Sequence, residues 1–195
     1  MRKLIIQVQT SIDGFVAEKN GKTDWAVWNW SHEWTWDAKL RKYHNDLTAS
    51  IDCILMGRKM AEGGFYDHWI EISKWHTNPQ AGFANKLNEV HKVVFTKTLK
   101  ESKWDNTEIA NGDLATEINK LKNASGKNII AYGGATFISS IIKAGLFDEL
   151  HLVINPVAIG TGLPIFDKLN GYLPLSLIKS TSFACGVVVS KYKKR

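Results

Sequence analysis

Cysteine, methionine and proline are scarce: the 195 residues hold 2 Cys, 3 Met and 4 Pro. Cys53 and Cys185 each sit inside an apolar run, where a thiol acts as a small buried hydrophobe, so no disulfide framework is expected. There is no CxxC, and His32, His44, His68, His76, His91 and His151 stand at none of the separations that place two imidazoles on one ion. No metal site is expected. The 4 Pro and 15 Gly follow no repeat, which excludes collagen-like and low-complexity material. Apolar runs of membrane-spanning length are lacking, and Met1-Arg2-Lys3-Leu4 leads straight into a strand-like run rather than a signal peptide. The expectation is a cytoplasmic protein with no membrane partner. A GxSxG elbow is missing, and Gly21-Lys22-Thr23 fails as a phosphate loop because Val16 stands where its first glycine is required.

Charge is only mildly unbalanced, with 25 Lys+Arg against 19 Asp+Glu. Part of the excess lies in Lys191, Lys193, Lys194 and Arg195, and no basic stripe runs through the body, so no nucleic-acid partner is expected. A phosphate-bearing small ligand suits such a surface; so does plain solvation.

What is present is 44% hydrophobic residues, enough for one core, and no linker divides the chain, so residues 1–195 are taken as a single domain. Leu4 to Val8, Ile51 to Met56, Val93 to Phe95, Ile129 to Ala131 and Leu150 to Ile154 have the length and β-branching of buried strands. Helical spacing lies between them: Leu40, Tyr43, His44 and Leu47; Phe83 and Leu87; Leu114, Ile118 and Leu121; Phe137, Ile138, Ile141 and Ile142. Asp113 suits an N-cap and Gly145 a helix end. Leu175 to Lys179 and Val187 to Tyr192, with no helix between, indicate an antiparallel hairpin. The fold class is α/β: a mixed, mostly parallel central sheet flanked by helices, with that hairpin at its C-terminal edge.

Three segments fall where strands end, which is where open α/β sheets bind ligands. In Met56-Gly57-Arg58-Lys59-Met60 a strand meets a glycine and a helix start beside two cations, an arrangement suited to an anion. An ordinary strand-to-helix turn with exposed basic residues has the same sequence. Tyr132-Gly133-Gly134-Ala135-Thr136-Phe137 repeats the pattern with paired glycines, which let backbone approach a ligand or simply make a tight turn. Thr96 and Lys97 add hydroxyl and cation at a third strand end. Together they could line a groove for a dinucleotide.

The order and spacing of these segments resemble the dihydrofolate reductase-like fold. With Thr10-Ser11-Ile12-Asp13-Gly14-Phe15-Val16-Ala17, Phe147 to Leu152, Pro156 and Gly160-Thr161-Gly162, the chain more closely resembles the C-terminal reductase domain of the bifunctional riboflavin-biosynthesis deaminase/reductase, in stand-alone form. The resemblance implies NADPH as cofactor and a homodimer. It places Gly57, Arg58, Lys59 and Met60 at the phosphates, Thr96 and Lys97 at the ribose 2′-phosphate, and Gly133, Gly134, Ala135, Thr136 and Phe137 beside the pyrophosphate and nicotinamide. It also places Asp13, Gly14 and Ala17 in the loop over the nicotinamide. In dihydrofolate reductases the paired glycines are joined by a cis bond. This chain departs from them in lacking their Pro-Trp loop, and from the riboflavin reductases in having Glu62-Gly63-Gly64-Phe65-Tyr66 in place of an Asp-Asn-Pro pattern.

The function expected is therefore an NADPH-dependent reductase of a small, flat heterocycle; the alternatives are a non-catalytic nucleotide-binding protein on the same fold and a divergent dihydrofolate reductase. Asp13, Asp37 and Asp46 are the candidate proton donors, with water as the other source. Five of the 8 Trp fall at Trp25, Trp28, Trp30, Trp34 and Trp36, around His32 and Glu33. Trp25 and Trp28 are candidates to wall a substrate pocket; aromatic anchors pinning a loop or a subunit contact are the plainer reading.

Overall fold

The computed structural model describes residues 1–28 and 35–195; Trp30, His32, Glu33 and Trp34 lie outside the described residues. The chain runs β1 (Leu4–Thr10), β2 (Phe15–Ala17), α1 (Ala38–Ala49), β3 (Ile51–Gly57), α2 (Arg58–Met60), a wide turn Ala61–Phe65, α3 (Tyr66–Lys74) and α4 (Ala81–Glu89). It continues through β4 (His91–Phe95), β5 (Thr107–Ala110), α5 (Leu114–Asn123), β6 (Asn128–Tyr132), α6 (Ala135–Lys143), β7 (Glu149–Ile154), β8 (Leu163–Pro164), β9 (Leu175–Ser182) and β10 (Val188–Lys194). Eight strands form one sheet in the order β5-β4-β3-β6-β1-β7-β10-β9, parallel from β5 to β7, with β10 antiparallel to both β7 and β9. β2 and β8 make a separate antiparallel pair. The α/β class and the antiparallel C-terminal hairpin are both present.

Strand alternation explains how one sheet serves two cores. Leu4, Ile6, Val8, Cys53, Leu55, Ile129 and Ala131 face α5 and α6 through Ile118, Ile138, Ile141 and Ile142. The intervening Ile5, Ile54, Met56, Ile130 and Tyr132 face the other way, onto Leu47 of α1, Trp69 and Ile72 of α3, and Ala84 and Leu87 of α4. With both faces covered, the central strands are apolar throughout.

The caps follow the sequence. Asp113 accepts from the Thr116 amide at 3.0 Å to start α5, and Gly145, at φ 64°, closes α6. Four elements carry weaker signals. β2, β5 and β8 have 3, 4 and 2 residues, too few for a period to show. α3 buries Tyr66, Trp69 and Ile72 at helical spacing, but Gly63 and Gly64, with Gly64 at φ 94°, break the run that leads into it.

Beneath α1 the core turns polar. His44 is 3% exposed and stacks on Trp36 at 3.9 Å, and burial, reinforced by His151, pushes its pKa down to about 3. Unfolding returns it to an ordinary value near 6.5. Between those limits the unfolded chain binds a proton that the folded chain refuses, so this contribution to stability is complete above pH 6.5 and is lost as pH falls toward 3. His44→Phe retains a ring on Trp36 and removes the titration. Urea unfolding from pH 7 to pH 4 should show a shallower loss of stability in the variant than in the parent; equal losses would contradict the assignment.

Candidate functional site

The sheet order creates a crevice. From β3 the chain steps outward to β4, whereas from β6 it steps the other way, across β1 to β7. Between the C-terminal ends of β3 and β6 the winding reverses, and ligands of open α/β sheets bind at such a point. Gly57 ends one of these strands and Tyr132-Gly133-Gly134 follows the other. The three segments singled out in the sequence are brought together here. Gly57 is the register partner of Phe95, immediately before Thr96, and Phe95 packs on Phe137 at 5.1 Å.

Each glycine has a different reason to be there. A Cβ at Gly57 would lie 3.1 Å from Cβ of Phe137, so the missing side chain lets the first turn of α6 close onto the end of β3. At Gly133, φ 62°, a Cβ would collide with the Met60 sulfur, which makes Met60 a packing residue under the turn. Gly134, φ 50°, differs: a Cβ there would meet nothing within 4 Å. It is the N-cap of the 9-residue α6 and supplies no side chain to its first amides, so an open space adjoins an uncapped helix N-terminus. Ala135 and Thr136 follow in that first turn, with Thr136 exposed. None of the described peptide bonds is cis, so the paired glycines differ here from those of dihydrofolate reductases.

Two of the three cations around the crevice already have partners. Arg58 pairs with Glu62 one helical turn on, both side chains being more than a third exposed. Lys97 Nζ donates to the carbonyls of Asn111 and Gly112, the latter at 2.8 Å, tying the end of β4 to the segment after β5. Thr96 Oγ1 accepts from the amides of Thr98 and Leu99 at 3.1 and 3.3 Å. Lys59 is exposed and makes no ion pair among the described residues.

The three candidate carboxylates lie on separate segments and hold structure together. Asp13 accepts from the amides of Ile159 and Gly160 at 3.1 and 2.7 Å; the Ser11 hydroxyl, then those amides, hold its carboxyl below its usual range. It thereby clasps the β1–β2 loop, with Ala17 at its far end, to the stretch before β8. Asp37 caps α1, accepting from Lys39 and Leu40, and also from the Cys185 amide at 3.2 Å; the Leu40 amide leads in lowering its pKa. A carboxylate so held stays ionised at neutral pH and is a poor proton donor. Asp46 is on the exposed side of α1, paired with Lys42 at 2.8 Å.

Trp25 borders a hollow of about 380 Å³ with Glu18, Lys19, Asn20, Ile159 and Thr161. Trp28 lies elsewhere, parallel to Trp69 of α3 with centroids 5.6 Å apart.

Sequence reasoning passed over a buried polar row on the α1 face. Gln7 of β1 is in register with Tyr132 on one side and His151 on the other, and His151 with Lys191 of β10. His151 Nε2 lies 3.1 Å from Glu149 Oε2, which places the ring proton there and leaves Nδ1 to accept from the Tyr43 hydroxyl at 3.0 Å. Lys3 completes the chain, 2.8 Å from Glu149 Oε1. The signal was Gln7 and Gln9 alternating inside an otherwise apolar strand.

Comparison with known proteins agrees with this geometry. Over 194 residues the chain is 32% identical to the uncharacterized protein YyaP of Bacillus subtilis (strain 168), covering 98% of this chain and 94% of that one. A solved structure named for riboflavin biosynthesis, from Shewanella sp. PV-4, superposes with TM-score 0.70 at 25% identity over 99% of both chains. Dihydrofolate reductase from Enterococcus faecalis, complexed with NADP(H), superposes with TM-score 0.61 at 10% identity over 99% of this chain and 96% of that one, a likeness of fold. The family model that describes the RibD C-terminal domain matches residues 2–189, and the chain belongs to that family, on a dihydrofolate reductase-like fold.

Proposed function

We propose that the chain is an NADPH-dependent reductase that delivers hydride to a small unsaturated heterocycle. Gly134 carries this reading: at the reversal of strand order, backbone at positive φ faces open space beside the uncapped N-terminus of α6. Amides there lack intrahelical partners and the helix dipole favours an anion, so a pyrophosphate suits the place. Gly133, Gly134, Ala135 and Thr136 would hold it. Arg58, Lys59, Thr96 and Lys97, at the neighbouring strand ends, would hold the ribose 2′-phosphate, while Phe137 and the Ala17 loop would border the nicotinamide. The bound cofactor supplies the hydride. The chain's part is to orient, to exclude water and to leave the proton to solvent, since Asp13 and Asp37 are held ionised by hydrogen-bond donors.

The same engagement of Asp13 and Asp37 favours one other reading, a nucleotide-binding module without turnover. NADPH consumption over pteridine, pyrimidine and quinone-like compounds separates the two.

NADPH should bind with micromolar affinity and quench tryptophan fluorescence. Gly134→Val fills the open space and strains a residue at positive φ, at roughly 1–3 kcal/mol of stability. The variant should stay folded by circular dichroism and lose NADPH binding; normal titration by a folded variant would contradict the site.

Cofactor choice tests the cations. A charge-assisted hydrogen bond is worth roughly 1.5–3 kcal/mol, so NADPH should bind about tenfold tighter than NADH or better. Glu62 competes with a phosphate for Arg58 across an exposed pair worth roughly 0.2–1 kcal/mol. Glu62→Gln should therefore strengthen NADPH binding up to about fivefold and leave NADH unchanged. Equal affinities for both cofactors in the parent would show these groups facing solvent.

A homodimer is part of the same proposal. β9 is the last strand of the sheet, and Leu177 and Ile178 on it are 58% and 48% exposed. A free edge of that kind favours pairing with another copy. Light scattering at micromolar concentration should give a dimer mass, and a monomer mass would overturn it.

A further inference from the structure

Asparagine followed by glycine is a chemically labile pair, because without a Cβ on the second residue its amide nitrogen can reach the carboxamide carbon of the first. The chain has three such pairs: Asn20-Gly21, Asn111-Gly112 and Asn170-Gly171. The fold treats them differently. At the first pair both reacting groups are engaged: the Gly21 amide donates to the Glu18 carbonyl at 2.9 Å, while the Asn20 carboxamide accepts from the Lys22 amide at 2.8 Å and donates to Glu18 Oε2 at 3.1 Å. Asn170 is exposed, and among the described residues its carbonyl accepts no hydrogen bond.

Asn111 combines freedom with activation. It is exposed, and among the described residues neither its carboxamide nor the Gly112 amide makes a hydrogen bond. Its backbone carbonyl, by contrast, accepts from Lys97 Nζ at 2.5 Å, and the Gly112 carbonyl accepts from the same nitrogen at 2.8 Å. The place of this cation decides the argument. The nucleophile in deamidation is the deprotonated Gly112 nitrogen, and peptide resonance carries its negative charge onto the Asn111 carbonyl oxygen. Lys97 already stands at that oxygen, as a preset donor stands at a developing oxyanion.

The only co-reactant is water. The Gly112 nitrogen bonds to Asn111 Cγ, and the carboxamide nitrogen leaves as ammonia, taking up through solvent the proton that the amide gave. A cyclic succinimide remains. Water then opens it at either carbonyl, giving aspartate or isoaspartate with no change of oxidation state.

We propose that Asn111-Gly112 is a self-modifying site activated by Lys97, and that its product sets a carboxylate beside Lys97 which weakens NADPH by competing with the ribose 2′-phosphate. The second half rests on the cofactor reading above; the first does not.

Ageing the full chain at neutral pH, with mass-spectrometric peptide mapping at intervals, tests the first half in the parent, Lys97→Met and Lys97→Arg. In the parent Asn111 should convert faster than Asn170, and Asn20 slowest, a comparison that needs no variant. Lys97→Met should slow Asn111 roughly two- to fivefold, the range of an exposed charge contact, and leave Asn170 unchanged; Lys97→Arg should retain the parent rate. Asn111→Asp carries the product's charge from the start. It should bind NADPH roughly two- to fivefold more weakly than the parent and NADH equally well. Conversion at Asn170 as fast as at Asn111, or a rate at Asn111 that Lys97→Met leaves the same or raises, would overturn the proposal. So would equal NADPH affinity in Asn111→Asp and the parent. If the parent binds no NADPH while Lys97→Met slows Asn111 alone, the activated site is supported and the cofactor reading falls.

Discussion

The geometry of the crevice depends on the contact between Gly57 and Phe137. A side chain on residue 57 would push the first turn of α6 back from the end of β3 by a few tenths of an ångström, since a Cβ would lie 3.1 Å from Phe137 Cβ. Because the contact is permitted, Phe137 also reaches Phe95, and the ends of β3, β4 and β6 are locked side by side. Met60, wedged under Gly133, completes the lock from the other helix. The outcome is one rigid turn whose exposed residue, Gly134, faces nothing.

A second theme is that acidic side chains near the site are used to shape it. Asp13 joins the β1–β2 loop to Ile159 and Gly160, and the β2–β8 pairing continues the joint, so two distant stretches of chain form one wall. Asp37 starts α1 and reaches Cys185 as well, linking the helix to the approach of β10. The polar groups that remain near the sheet centre, Tyr43, His151 and Glu149, are satisfied in sequence by one another.

The centre of the sheet was legible because β1, β3, β4 and β6 are apolar on both faces, and α5 and α6 because Ile118, Leu121, Ile138 and Ile142 recur at helical spacing. The strand-end segments were legible as places, since glycine after a strand marks a turn whatever else surrounds it. Their chemistry was less so. Gly57 and Gly134 look alike in sequence, yet one is glycine for a neighbour's side chain and the other for empty space, a difference that exists only once α6 is packed. Arg58 and Lys97 promised two cations; Glu62 and the carbonyls of Asn111 and Gly112 come from residues whose proximity no spacing rule conveys. Asp13 and Asp37 could be taken for acids because an aspartate that binds backbone amides is indistinguishable, in sequence, from one that does not. Trp28 meets Trp69 across 41 residues and two helices, which no local pattern foretells.

Hydrogen–deuterium exchange, with and without NADPH, tests the central claim most directly, because the crevice is made of backbone amides. The account predicts slowed exchange at Gly133 to Phe137 and at Gly57 to Met60, with α5 and the β9–β10 hairpin unchanged. Slowed exchange confined to the hollow beside Trp25, or no change at Gly134 and Ala135 under saturating cofactor, would contradict it.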